Sequence, residues 1–498
     1  MNMRSIILVM ALGVFGCTKH NPDSCCSTQQ QCDLLGIGAV TGCISGKTCD
    51  GTGTCVAVQC STSADCTLPA QPICEDQLCV AKCTVDGQCS SDRPYCGTDG
   101  ICDVCLMDAQ CTGNTSVCDG STHTCRGCDE DFECPSGVCL DNEHLCAKDV
   151  AIVWVTESGT DVGTCTKDAR CATFSFALSK TTTARNVIRV DGDTVDFGTT
   201  TNSLVAKTLY VDTGTIHLSR SGTVFDVGNS ASLSLSGLLT VGDNAASAIN
   251  VETGGVLHVS RVALGEATAS TNGAIVVTGG VVTLDRVKFT ATRNGNGRGI
   301  SCSGGGVVTA TSSTFTEVIV ITSACELHLS GNSFQAQAAG SLSVQGGTVT
   351  IENNVFATTY EYQDSAYVGS TAPGSYVRFN TWVDMSSNSL GGTGLTCIGT
   401  LDVSNNIFAF GPDGAYGCAT SFSLFDVTQT SSSPGTGDLV GSSSTFFINE
   451  ANGDFHLAVG SPAKGAGNPA STTTVDRDGN QRPNPAGTPP DIGAYEAP

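Results

Sequence analysis

Three arginines recur two residues after an apolar position of an internal repeat, and they are the first candidates for chemistry. They are Arg220, Arg261 and Arg286, with Asp285 and Lys288 beside the last. Arginine or lysine can bind an anion, or remove a proton beside a carboxylate that a Ca²⁺ ion neutralises. The carboxylate cluster that Ca²⁺ needs does not occur at matching positions of neighbouring repeats. The weak catalytic candidates are therefore Arg261, Arg286 and Asp285. A contact to a glycan or another anion is an alternative role for the arginines. The preferred interpretation is that they are solvated residues at strand ends.

The remaining polar motifs predict structure rather than catalysis. His217, His258 and His328 lie two or more repeats apart, too far to share a metal ion. Asp476 and Asp478 precede Gly479, but this glycine comes two positions too early for an EF-hand, so the aspartates are expected to fix turns. There is no P-loop, Gly-x-Ser-x-Gly or His-Glu-x-x-His motif. The sequence predicts no metal site and no cofactor; Ca²⁺ enters only if the arginines are catalytic.

Composition restricts the class of protein. The 498 residues carry 47 acidic and 23 basic side chains, a net charge of −24, which argues against a nucleic-acid partner. An aromatic content of 6% with 59 glycines argues against a conventional α/β enzyme core. A hydrophobic content of 40% is too high for a disordered chain.

The N-terminus has the pattern of an export signal. Arg4 precedes an apolar run over residues 6–16, which is too short to span a bilayer. Residues 14–17 (Val-Phe-Gly-Cys) resemble a bacterial lipobox, which implies lipid at Cys17 and a membrane partner through that lipid. An ordinary signal peptide is the alternative. Lipidation of Cys17 would leave 28 of the 29 cysteines, an even number that could all pair.

Tandem cysteine modules follow the signal. Units of four cysteines open at Cys60, Cys83, Cys105 and Cys128, and a degenerate unit precedes them. About 23 residues cannot bury a sufficient core, so we expect disulfides, with three pairings possible per unit. A zinc knuckle at Cys102 and Cys105 is the disfavoured alternative. The cysteines predicted to pair are Cys60, Cys66, Cys74, Cys79, Cys83, Cys89, Cys96, Cys102, Cys105, Cys111, Cys118, Cys125, Cys128, Cys134, Cys139 and Cys146.

From residue 151 the chain becomes rich in Gly, Ser, Thr, Val and Asn and repeats about every 23 residues. Each repeat has two short strands around a Gly-rich corner, the pattern of a parallel β-solenoid. One inward column is predicted at Leu218, Leu235, Val259, Leu284, Ala310, Leu329, Ile351, Val377 and Val403. Cys302 with Cys325, Cys397 with Cys418, and Cys165 with Cys171 are plausible further pairs.

Four repeats carry an asparagine followed two residues later by an aromatic residue. Asparagine tolerates the left-handed backbone of a tight corner, and its amide both donates and accepts. Stacking predicts an asparagine ladder beside a column of rings. The pairs are Asn332 with Phe334, Asn354 with Phe356, Asn380 with Trp382, and Asn406 with Phe408.

These motifs carry resemblances to known families. The asparagine ladder resembles that of right-handed parallel β-helices of the pectate-lyase-like superfamily. The ends near Trp154 and Asp476 resemble bacterial choice-of-anchor surface β-helix proteins, in which a short helix caps the first coil. The cysteine modules resemble EGF-like and Dickkopf N-terminal modules. These resemblances imply an all-β, right-handed parallel β-helix preceded by a disulfide-rich stalk.

The predicted protein is an exported lipoprotein at the outer membrane or cell surface. Its segments are an export signal (1–16), a lipid-anchored linker (17–31), cysteine modules (32–148) and the β-helix with its closing segment (149–498). The expected function is non-enzymatic binding of a polysaccharide, matrix or cell-surface partner. The alternative, implied by the superfamily, is a tethered lyase or hydrolase acting on uronic acid polymers.

Overall fold

The computed structural model describes residues 82–497, apart from several loops, and the backbone of four short strands before them. The strands are Lys47–Cys49, Cys55–Ala57, Ile73–Glu75 and Leu78–Val80. The loops that are not described are 112–115, 192–200, 205–207, 219–222, 242–248, 266–272, 291–296, 317, 337–339, 359–363, 370, 386–392, 411–412 and 429–433. Cys17, Cys60, Cys66 and Arg220 lie outside the described residues, as do the side chains of Cys74, Cys79 and His217. The chain forms two compact units, residues 1–126 and 127–498.

The first unit contains cysteine modules that share one plan. A 3₁₀ turn, Asp86–Gln88 or Asp108–Gln110, precedes a two-stranded antiparallel hairpin. The hairpins pair Tyr95–Cys96 with Cys102–Asp103, and Val117–Asp119 with Thr124–Arg126. The first cysteine joins the third and the second joins the fourth: Cys83 to Cys96, Cys89 to Cys102, Cys105 to Cys118 and Cys111 to Cys125. This choice among the three pairings was not available from spacing.

The second unit begins with a module of the same plan, residues 127–147, hereafter the last module. Its 3₁₀ turn is Asp131–Glu133, its hairpin pairs Cys139–Leu140 with Leu145–Cys146, and its disulfides are Cys128–Cys139 and Cys134–Cys146. Another 3₁₀ turn, Asp149–Ala151, leads into the solenoid. The composition changes near residue 149, but the compact unit already starts at Gly127 because the last module packs on the solenoid.

The rest of the second unit is a parallel β-solenoid, as the repeat predicts, but it has three sheets where the repeat indicated two strands per coil. In the described residues sheet A has 12 strands, sheet B 10 and sheet C 9. Sheet A comprises Ile152–Thr156, Val187–Asp191, Thr208–Leu218, Ser232–Val241, Val256–Ser260, Val281–Asp285, Val307–Thr311, Glu326–Ser330, Val349–Glu352, Tyr376–Arg378, Asp402–Ser404 and Thr420–Ser421. Sheet B comprises Asn202–Leu204, Phe225–Val227, Ile249–Glu252, Ile275–Thr278, Gly297–Ser303, Val318–Ser323, Leu342–Gln345, Ala366–Gly369, Thr393–Ile398 and Asp413–Tyr416. Sheet C comprises Ala263–Gly265, Lys288–Thr290, Thr314–Thr316, Ser333–Ala336, Val355–Thr358, Thr381–Asp384, Ile407–Ala409, Leu424–Asp426 and Leu439–Gly441.

The predicted inward column of sheet A is correct from Leu235 onward and wrong at Leu218. Strand pairing places Val211, not Leu218, next to Leu235, and Leu218 next to Val241. The 11-residue strand Thr208–Leu218 continues past the corner and contains a register shift after Thr213. The step of 17 residues from Leu218 was therefore too short for one coil, whereas the step from Val211 is 24.

Seven aromatic rings form a continuous stack inside sheet C. Ring centroids of successive members are 4.6 to 5.1 Å apart, and their planes are within 16° of parallel. The coil spacing imposes this distance because parallel neighbours lie about 4.8 Å apart. The members are Phe289, Phe315, Phe334, Phe356, Trp382, Phe408 and Phe425.

The four predicted asparagines form a buried hydrogen-bonded ladder. The amide of Asn332 donates to the side-chain oxygen of Asn354 (2.9 Å), Asn354 to Asn380 (2.9 Å) and Asn380 to Asn406 (3.1 Å). Serines continue it: the Ser313 N–H donates to Asn332, and the Asn406 N–H donates to the Ser423 hydroxyl. The left-handed residue is not the ladder asparagine but the residue before it, such as Asn353 (φ 57°) or Phe379 (φ 55°). The ladder position needs an inward side chain, so the corner residue takes the strained backbone.

A helix packs on the start of the solenoid core, and the closing segment packs along sheet C against Val355, Val383, Ile407 and Leu424. Helix α1, Phe174–Ser179, buries Phe174 against Phe225, with ring centroids 5.6 Å apart, so the short capping helix is present. The closing segment contains two 3₁₀ turns, Ser443–Thr445 and Glu450–Asn452, and the hairpin Phe447–Asn449 with Asp454–Leu457. It places the buried Arg482 beside Glu496, 3.0 Å away. The described residues contain no helix long and apolar enough to cross a membrane.

Candidate functional site

The corner between sheets A and C positions the candidate arginines. The first corner residue has a left-handed backbone, which directs its side chain outward, and the second points into the core. Arg261 (φ 54°) and Arg286 (φ 51°) both occupy the first position. The following residues, Val262 and Val287, are buried. The two arginines therefore share one outward column, as the repeat predicts.

Arg261 is held by carboxylates of the last module. Its Nε donates to Asp141 Oδ2 (3.0 Å), its Nη2 also contacts Asp141, and its Nη1 lies 3.1 Å from Glu130. The Ser260 hydroxyl donates to the same Asp141 carboxylate (2.7 Å). Burial alone would lower the pKa of Arg261, but the charges of Asp141 and Glu130 raise it above its ordinary value. The guanidinium is thus a fixed cation, which is poorly suited to remove a proton.

Arg286 and Asp285 are placed differently. The Arg286 side chain is 56% exposed, and its Nε lies 2.8 Å from Asp285 Oδ2. Asp285 also accepts a hydrogen bond from the Thr311 hydroxyl (3.1 Å). Among the described residues, three groups of side chains lie close enough together to bind one metal ion. All three groups consist of cysteines that form disulfides. The exposed Arg286 can contact an anion. The described side chains include no cluster of carboxylates beside Arg286 and Asp285 that could bind Ca²⁺.

A second set of contacts joins the last module to the outer face of sheet A. Arg189 lies among the carboxylates of Asp131, Asp191 and Asp212. Tyr210 donates to Glu143, and the Asn142 amide donates to the Ser234 hydroxyl (3.1 Å). Together with the contacts of Arg261, these pairs form what we call the docking contact. It covers the outer face of the early coils.

The carboxylate of Asp212 is the most perturbed group of the docking contact. Burial raises its pKa, the Arg189 charge lowers it, and the Asp131 charge raises it again, so the net shift is upward. Asp191 has a second cation in Arg170, whereas Asp131 and Asp212 share the Arg189 guanidinium. The folded protein therefore holds a proton at Asp212 at pH values where an unfolded aspartate, with a pKa near 3.9, has lost it.

Stability should consequently fall as the pH rises above about 4 through the range in which folded Asp212 ionises. Asp212→Asn should flatten this part of the pH dependence, measured by urea unfolding between pH 5 and 8. Asp402→Asn, an exposed change on the same sheet, is the matched control. Identical pH slopes for the wild-type protein and Asp212→Asn would contradict the role of this carboxylate.

The other polar motifs have structural contacts. His328 lies between Thr350 (2.7 Å) and Glu326 (2.8 Å) on the outer face of sheet A. Asp476 accepts backbone N–H groups of Asp478 and Asn480, which fixes a turn. These contacts agree with the turn-forming interpretation of the aspartates.

Sequence reasoning missed the acidic residues of the last module. Asp131, Asp141 and Glu143 are separated from their partners by 58 to 120 residues. A local signal existed only for Asp131, which repeats the positions of Asp86 and Asp108 in the earlier modules. Each of these module aspartates, Asp86, Asp108 and Asp131, accepts the backbone N–H of the third cysteine of its module, at 2.8 to 2.9 Å.

No protein-family model matches this chain, and no curated protein sequence is significantly similar to it.

Proposed function

We propose that this chain is an exported surface lipoprotein whose solenoid binds a glycan, matrix or cell-surface partner without catalysis. The observation that carries the proposal is the state of the candidate arginines. Arg261 is committed to Asp141 and Glu130, and Arg286 stands exposed without a calcium cluster among the described side chains. What the solenoid offers instead is a rigid polar face, with Thr283, Thr309, His328 and Thr350 in register on sheet A.

Nine disulfides in the described residues support export, because disulfides persist in oxidising compartments. Anchoring through lipid at Cys17 is part of the proposal and rests on the lipobox-like sequence. The mass of the mature N-terminal peptide tests it. A diacylglyceryl group on Cys17 is expected, and an unmodified Cys17 would contradict the anchor.

The test of function pairs binding with catalysis. The purified full chain is mixed with a panel of uronic acid polymers, with and without Ca²⁺, and the ultraviolet absorbance of unsaturated products is followed. We expect retention on at least one immobilised polysaccharide or cell surface and no rise in absorbance. A Ca²⁺-dependent rise that Arg286→Ala abolishes would establish the tethered lyase instead. Release of reducing ends without such a rise would establish a hydrolase.

A further inference from the structure

A cleft of about 390 Å³ opens at the start of the solenoid, away from the corner arginines. Two short segments line it, residues 156–162 and 167–170, which precede helix α1. Its volume falls within the range of small-molecule sites, which is about 300 to 1,000 Å³. The lining contains the hydroxyl residues Thr156, Ser158 and Thr160, which can hydrogen-bond a polar ligand.

The walls of the cleft are fixed in place. Cys165, between the two lining segments, and Cys171, directly after the second, are buried and joined by a disulfide. The Thr160 N–H donates to the Arg170 carbonyl (3.0 Å), which ties one wall to the other. The Asp161 carboxylate accepts the N–H groups of Ala172 (2.8 Å) and Thr173 (2.9 Å). A ligand would therefore meet a preformed site and would not have to order a loop.

The cleft is cationic in a protein with a net charge of −24. Lys167 and Arg170 line it against a single lining carboxylate, Asp168. Arg170 uses Nη1 on Asp191 (2.8 Å) and Nε on the Lys167 carbonyl (3.1 Å). The Lys167 ammonium has no ion pair with the described residues, and it lies 5.2 Å from the centre of the Trp154 ring. Because the Lys167 side chain is exposed, its ammonium is available to an incoming anion.

The other nearby carboxylates are already engaged. Asp161 is held by Ala172 and Thr173, and Asp191 lies between Arg170 and Arg189. These charges are matched inside the protein, which leaves the exposed Lys167 ammonium free to pair with an anionic ligand. Hydroxyl groups beside the cation favour a ligand that also carries hydroxyls.

We propose that this cleft binds an anionic sugar residue, with its carboxylate or sulfate on Lys167 and Arg170 and its hydroxyls on Thr156, Ser158 and Thr160. The inference rests on the proposed binding function and names the class of ligand. A carboxylate and a sulfate present the same charge to the two cations, so the two sources are separated by experiment.

The chain contains two tryptophans, which provide a local measurement. Trp154 contacts both cations of the cleft, whereas Trp382 is fully buried in the ring stack. The intact chain is titrated with galacturonate, galactose 6-sulfate, neutral galactose and inorganic sulfate while tryptophan fluorescence is followed. We expect one or both acidic sugars to change the fluorescence, with neutral galactose binding at least tenfold more weakly. Trp154→Phe should remove the signal.

Lys167→Gln should weaken binding of the acidic sugar at least tenfold, and Lys464→Gln, at another exposed lysine, should leave it unchanged. Unchanged affinity of Lys167→Gln, equal affinity for neutral galactose, or equal affinity for inorganic sulfate would each overturn the sugar site. Retention on immobilised polysaccharide tests the proposed function separately. Equal retention of wild type and Lys167→Gln would reject the cleft while the binding function stands. A fluorescence change with the acidic sugars but no retention on any immobilised polysaccharide or cell surface would reject the proposed function while the cleft stands as a sugar site.

Discussion

Replacing Asn380 with alanine is expected to lower the free energy of unfolding of the second unit by about 3 to 5 kcal/mol. The Asn380 amide donates to the Ile351 and Arg378 carbonyls, both at 2.9 Å, and its oxygen accepts from the Asn354 backbone and side chain. Alanine removes the side-chain amide of Asn380, which is fully buried, and leaves each of these partner groups without its hydrogen bond. Each orphaned buried group costs about 1 to 3 kcal/mol, since water cannot replace the lost partner.

Urea unfolding measured by circular dichroism checks this effect. Asn452→Ala, at an exposed asparagine in the closing segment, is the control and should change stability by less than about 0.5 kcal/mol. A loss below about 1 kcal/mol for Asn380→Ala would mean that the ladder rearranges and that its hydrogen bonds are not needed. At the two ends of the ladder, Ser313 and Ser423 occupy the place of an asparagine and bond to the outermost asparagines.

Replacing Arg261 with alanine is expected to release the last module from sheet A. The change leaves Asp141, whose side chain is 6% exposed, without its cation. Removing one member of a buried charge pair costs about 3 to 5 kcal/mol, and partial exposure of Arg261 reduces this to about 2 to 4 kcal/mol. Local opening should become about 30 to 1,000 times more populated, because each 1.4 kcal/mol is a factor of ten.

Tryptic cleavage after Lys148 measures this opening, because that bond lies between the last module and the first strand of sheet A. Cleavage of a transiently open segment follows its population when reclosing is fast. Arg286→Ala is a closely matched control: the same residue type stands at the same left-handed corner position, but it is exposed and paired to its own neighbour. Equal cleavage rates for the two variants would show that Arg261 does not hold the module.

Much of the solenoid could be predicted because its signals repeat. The column from Leu235 to Val403 and the four ladder asparagines each recur once per coil, so one correct alignment places all of them. The error at Leu218 arose where the repeat is imperfect, since the strand there runs through the corner and shifts register. The residue that takes the left-handed backbone was also misplaced by one position, because composition alone does not separate Asn353 from Asn354.

The candidate site was less predictable than the fold. The shared outward position of Arg261 and Arg286 followed from the repeat, yet their environments differ because the last module contacts only the first of them. The cleft around Lys167 was not anticipated, since it depends on how residues 156–162 and 167–170 approach each other across a disulfide.

The sequence by itself determined the cysteine modules, the coil length and the inward residues from Leu235 to Val403, because these are periodic or local properties of the chain. Only the tertiary structure decided the pairing of cysteines within a module, the commitment of Arg261 to Asp141 and the cationic cleft beside Trp154. Each of those features depends on atoms that packing brings together. Electrostatic contacts between distant segments produce no periodic pattern in the sequence, so they could not be predicted from it.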